Sequence, residues 1–164
     1  MGATTRGLAA GAALLLVMGL GGSAVAPPRS TAERGVRLAL IRLNTLLSRK
    51  DMAILDEFSP APDTLLVGGE VGERARGRAE LEAHWAGVFA RPITCSFSWR
   101  EVDVSVRGEV AWLHADGELI VKMDSGEEMR RPYRLAGVLE PHGNRWQWRL
   151  FQGVVPDFGE AASA

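Results

Sequence analysis

Cysteine is almost missing from this chain of 164 residues: Cys95 stands alone, so no disulfide framework holds the fold together. Histidine is nearly as scarce. His84, His114 and His142 show no metal-ligand spacing, and no metal or other cofactor is expected. An excess of either charge is missing too, since 19 Lys and Arg stand against 20 Asp and Glu. That balance is no electrostatic footprint for nucleic acid. The densest basic stretch, residues 73–78 (ERARGR), is short, contains an acid, and reads as a solvated loop and helix entrance. There is no internal repeat and no motif that by itself names a reaction. The one sustained apolar run, residues 8–20, is short and Gly-rich for a spanning helix, which needs about 20 strongly apolar residues.

That run is what a leader peptide requires. Arg6 forms a positive start, and Ser23-Ala24-Val25-Ala26 places small residues where a signal peptidase reads, ahead of Pro27-Pro28. Residues 1–26 are expected to be removed after Ala26, giving an exported, periplasmic or secreted protein with no membrane attachment after cleavage. Setting Arg6 aside leaves 18 basic against 20 acidic side chains, a net of −2. Residues 27–33 then form a short linker and helix cap, 34–156 a single domain, and 157–164 a loose, small-residue tail. A domain of this length buries roughly two-thirds of its unfolded surface and needs no disulfide staple.

Period and capping chemistry place the helices. Ser30-Thr31-Ala32-Glu33 fits a capping box, and Val36, Leu40, Leu43 and Leu47 follow as an apolar stripe of helical period. Arg49 and Lys50 suit the negative end of that helix. Asp51 is placed to cap a second, shorter helix over 52–58, ended by Pro60 and Pro62. A third helix over 78–89 carries Leu81, Trp85, Val88 and Phe89 on one face, and Pro92 stops it.

Strands take the rest. Residues 64–67 are brief and apolar and lead into a Gly-rich loop over 68–77. Residues 93–99 alternate on odd numbers, with Cys95 in phase with Ile93 and Phe97, which predicts a buried thiol. Val102, Val104 and Val106 alternate on even numbers, so a bulge or sharp bend is required near Glu101. Gly117 predicts a second bulge within 110–123. Turns at 124–127 and 141–144 complete the pattern. These repeated bends imply an α+β cone: a strongly curved antiparallel sheet wrapped around a long N-terminal helix, with three helices in all.

The order helix, LLSRKD, short helix, PDTLLVGG, a loop ending at Gly77, a helix with Trp85, and strands ending GNRWQWRLFQGVVP resembles the SnoaL-like branch of the nuclear transport factor 2-like superfamily. The resemblance covers 34–156. It implies a cystatin-like cone that often dimerises through its sheet, and it spans isomerases, polyketide cyclases, dehydratases and binders without activity. By position, the isomerases' general-base Asp falls at Gly68 or Gly69, their oxyanion-hole Tyr at Leu43, and their protonated Asp near Leu135. None of those groups is present here, so proton abstraction beside a carbonyl lacks its usual base and donors. Many relatives carry His near Gln152 and Ser near Val154, and this chain departs from both.

Other residues remain as site candidates. His114 and Asp116 lie two apart on a strand and share a face unless the Gly117 bulge parts them. On a shared face they would make a base-and-orienter pair, against the plainer reading of surface placement at a strand end, and Glu70 is a carboxylate near the mouth. Aromatics weigh more. Trp112 and Trp146 read as core filling, whereas Trp85, Trp99, Tyr133 and Trp148, with Gln152 at the end of the last strand, suit a cavity wall for a flat or apolar ligand. Trp146, Trp148, Leu150 and Gln152 are expected on one face. The candidate ligand contacts are therefore Trp85, Trp99, His114, Tyr133, Trp148 and Gln152, with no catalytic residue assigned.

The expected function is binding of a small apolar or aromatic molecule without turnover. The alternatives are a lyase, isomerase or cyclase using His114 and Asp116 or Glu70, and a dimerising structural domain with a filled cavity. A homodimer is expected through the outer sheet face, with Ile120, Ala136, Val138 and Phe151 interspersed among Lys122, Arg134 and Arg149.

Overall fold

The computed structural model describes residues 30–70 and 72–156. The expected leader and tail lie outside the described residues. Helix α1 (Thr31–Ser48) opens with the expected capping box: Ser30 Oγ accepts from the Glu33 N–H at 3.1 Å, and the Glu33 carboxylate accepts from the Ser30 N–H at 3.3 Å. It buries Val36, Ala39, Leu40, Leu43 and Leu47 along one stripe. Burial of each large side chain contributes on the order of 1.5–3 kcal/mol. Asp51 caps the next element by accepting from the Ala53 N–H. That element, Met52–Glu57, is a 3-10 helix of six residues.

Six strands follow: β1 (Leu65–Val67), β2 (Arg74–Arg76), β3 (Ile93–Arg107), β4 (Val110–Met123), β5 (Glu128–His142) and β6 (Arg145–Val154). Helix α2 (Gly77–Phe89) lies between β2 and β3. The sheet order is β2-β1-β6-β5-β4-β3, antiparallel except where β1 runs parallel to β6. The segment expected to be all loop, 68–77, thus holds a short strand paired to β1. Gly77 takes φ +70, which lets the chain leave β2 and enter α2 at once. Arg78 fixes the start of α2 by donating to the Leu55 carbonyl at 3.0 Å.

The phase change near Glu101 is a real bulge, with the register shifting between Trp99 and Glu101. The second bulge expected in β4 is not there. Gly117 sits opposite the β3 bulge, where a Cβ would collide with the Ser98 carbonyl, and β4 runs on without interruption. Instead the register slips between β5 and β6 at Val138/Leu139, leaving Arg149 as the extra residue. Trp148 therefore faces inward together with Phe151, not with Leu150 and Gln152. Phe151 leaves the outer face for the same reason.

The concave face closes on α1 to form one core from Val36 to Phe151. β3 is an edge strand, and α1 covers it. The Asn44 side chain exchanges two hydrogen bonds with the Phe97 backbone, and Arg37 donates to the Val102 carbonyl at 2.8 Å. Edge groups left open would template further pairing. Trp112, expected in the core, stands on the convex face with 47% of its surface exposed.

Candidate functional site

At the wide end of the cone the inner sheet face and α2 diverge and leave a cavity of about 260 Å³. Its wall follows from strand alternation. β3 contributes Ile93, Cys95 and Phe97, β4 Leu119 and Val121, and β5 Met129, Arg131 and Tyr133. Trp85 and Val88 cover it from α2, while Leu66 and Phe151 form its floor. Phe97 is the aromatic hub: its ring centroid lies 4.8 Å from that of Tyr133 and 4.9 Å from that of Trp99.

The polar groups gather at one side. Glu73, His84, Val88 and Arg91 line both the cavity and a shallower depression outside it, so they form its rim. The Glu73 carboxylate accepts from the Glu70 N–H at 3.1 Å and folds over Gly68, where a Cβ would collide with it. Burial holds the His84 imidazole below its usual value, the Glu73 carboxylate opposing this and Arg91 reinforcing it. Burial pushes the Cys95 thiol up, with Arg91 and Lys50 acting against that and Glu73 with it. The Tyr133 phenol is held well above the ordinary range by burial, reinforced by Glu73, so it is a neutral donor at any physiological pH. Its hydroxyl rests against Gly153, which has no side chain to displace it.

Of the six residues singled out from sequence, two line the cavity: Trp85 and Tyr133. Trp99 backs the wall from behind Phe97 and Tyr133. Trp148 is fully buried in the core, edge-on to Phe151. Gln152 is carried to the outer surface by the Arg149 slip. His114 also lies on the convex face, because uninterrupted alternation in β4 turns Leu113 and Ala115 inward. There its Nδ1 is 3.8 Å from Asp116, whose other oxygen accepts from Arg134 Nε at 2.9 Å. The His114–Asp116 pair therefore exists but does not reach the cavity. Glu70 does line the mouth. Cys95, expected to be closed in the core, is half-buried on the cavity wall.

Sequence reasoning missed Glu73, His84, Arg91 and Arg131. For Arg131 a signal was present: it is in phase with Met129, Tyr133 and Leu135, all inward. Glu73 and His84 offered none, since a loop residue and a helix residue meet only through the β1–β2 hairpin.

Comparison with known proteins agrees with this architecture. A family model described as a SnoaL-like domain matches residues 36–154. A nuclear transport factor 2-like superfamily protein of Salmonella enterica superposes with TM-score 0.68 at 14% identity, over 82% of this chain and 97% of that one. A Streptomyces avermitilis protein of the same family, provisionally called a dehydratase, gives 0.66 at 18% identity, over 77% and 97%. A ketosteroid isomerase-like protein of Erwinia carotovora gives 0.62 at 19% identity, also over 77% and 97%. Among curated proteins none matches in sequence. Identities this low speak to fold alone. With the cone, its order of elements and a family match over most of its length, the chain belongs to the SnoaL-like domain family, within the nuclear transport factor 2-like fold.

Proposed function

We propose that this is an exported binding protein whose cavity takes up a small, flat, largely apolar molecule and releases it unchanged. The observation that carries the reading is the aromatic wall of Trp85, Phe97, Tyr133 and Phe151 around about 260 Å³. Such walls contribute area at low conformational cost, and a lone phenol donor orients the guest. Native mass spectrometry of protein recovered from the periplasm tests it: a co-purifying small molecule, displaced in a Leu119→Trp variant, is expected. Titration with 2-naphthamide should show the same dependence on residue 119. No bound molecule and no titration signal would overturn the reading in favour of a structural domain.

A second reading, acid–base turnover, is favoured by one specific arrangement. A carboxylate (Glu73), an imidazole (His84) and an unpaired phenol (Tyr133) converge on the same cavity. Glu73 and His84 take over the role that the sequence offered to His114 and Asp116, which lie on the convex face. Solvent deuterium appearing beside the carbonyl of a bound ketone, and lost in Glu73→Gln, would select this reading over simple binding.

A further inference from the structure

Two arginines from different elements line the cavity. Arg91 comes from the turn after α2, and Arg131 from the concave face of β5 between Met129 and Tyr133. The register partner of Arg131 is Leu119, which pairs in turn with Phe97, so its stem lies along an apolar row with the guanidinium at the mouth. Among the described residues, neither guanidinium forms an ion pair or a side-chain hydrogen bond.

Elsewhere on the same strands this chain matches its arginines to acids. On the convex face Arg130 pairs with Glu118 and Glu128, Arg134 with Asp116, and Arg149 with Asp63 and Glu140. The acids near the mouth do not fill that role for Arg91 and Arg131. Glu73 is engaged with the Glu70 N–H, and neither carboxylate pairs with either arginine. Lys50 adds to the basic side, donating to the Arg91 carbonyl at 2.7 Å. The cavity is thus apolar within, with two unmatched planar cations at its rim.

We infer that the cavity's ligand is an apolar or aromatic molecule bearing a carboxylate. Its body lies against Trp85, Phe97 and Phe151, and its head group is held between Arg91 and Arg131. Arginine presents donors in a planar fork that fits a carboxylate with two parallel hydrogen bonds. This rests on the cavity reading above and adds the chemical class of the ligand to it.

The test compares 2-naphthoate with its neutral isostere 2-naphthamide by titration calorimetry, on wild type, Arg131→Gln, Arg91→Gln and Leu119→Trp. Both arginines are exposed, so neither substitution should disturb folding, which circular dichroism would verify. Wild type should bind 2-naphthoate about tenfold more tightly than the amide. Each arginine variant should lose that advantage while binding the amide unchanged, and Leu119→Trp should weaken both. Equal affinity for the two ligands, or an arginine variant that weakens both alike, overturns the inference while leaving the cavity reading intact. Binding of neither ligand overturns both.

Discussion

Asn44 and Phe97 are joined by two reciprocal hydrogen bonds, from Asn44 Nδ2 to the Phe97 carbonyl at 2.9 Å and from the Phe97 N–H to Asn44 Oδ1 at 2.7 Å. One side chain on α1 thereby satisfies the open side of the edge strand at the residue whose ring organises the cavity wall. In Asn44→Leu those two part-buried backbone groups have no partner, at a cost of about 1–3 kcal/mol. Thermal unfolding should shift down by several degrees, and 2-naphthamide binding should weaken through the displaced Phe97. An unchanged melting temperature would show that water replaces the amide there without loss.

Glu57 is 2% exposed, and its carboxylate takes both oxygens to Arg42 Nε, at 3.0 and 2.9 Å, with Arg145 3.5 Å away. A buried carboxylate that loses its partner is costly, whereas an apolar replacement of the whole pair is not. Arg42→Met alone should therefore destabilise by about 3 kcal/mol, and the double change Arg42→Met with Glu57→Leu should recover most of it. Equal losses in single and double variants, by denaturant unfolding, would contradict this account.

His84 should make stability pH-dependent. Burial lowers its pKa below the ordinary 6.5, with Glu73 and Arg91 the charged groups that face it. The unfolded chain then binds a proton more readily than the folded one, so stability rises with pH across that interval. The contribution is complete above about pH 6.5 and is lost as the pH falls through 6.5 toward the folded value. Between about pH 7.5 and 5 the melting temperature of wild type should fall more steeply than that of His84→Asn. Parallel curves would remove His84 from the explanation.

Much of the cone was legible because its devices are local. The Ser30–Glu33 box, the stripe through Leu43, and the shift of alternation from odd to even numbers around Arg100 each carry their meaning in adjacent residues. The faces of β4 and β6 were harder. Gly117 read as a bulge in its own strand, but its missing side chain makes room for a bulge in the partner strand, and one sequence does not say which strand holds the extra residue. The slip at Arg149 left a trace in the adjacent apolar pair Leu150-Phe151, where strict alternation allows only one inward residue. Misreading those two strands sent His114 and Gln152 toward a cavity they do not face. The rim of Glu73, His84 and Arg91 was illegible for another reason: it is assembled across a hairpin, a helix and a turn, and no spacing encodes it.

The convex face yields the last prediction. Trp112 pairs in register with Val138, Val138 with Leu150, and Leu150 with Leu65, an apolar row four strands wide. With Phe151 turned inward, Leu150 takes the place expected for it. Beside this row lie ion pairs such as Asp116–Arg134 at 2.9 Å, which keep the face soluble without covering Trp112. A half-exposed Trp at one end of an apolar row, flanked by ion pairs, is the composition of an interface core with a polar rim. We propose that a second copy of the chain lies on this face about a two-fold axis, so that one patch serves both subunits. Sedimentation at micromolar concentration should then show twice the monomer mass. Val138→Asp places a charge in the row without touching the cavity, and should give a monomer that still binds 2-naphthamide. A wild-type monomer throughout that range would refute the dimer, and a dimer surviving Val138→Asp would move it to another face.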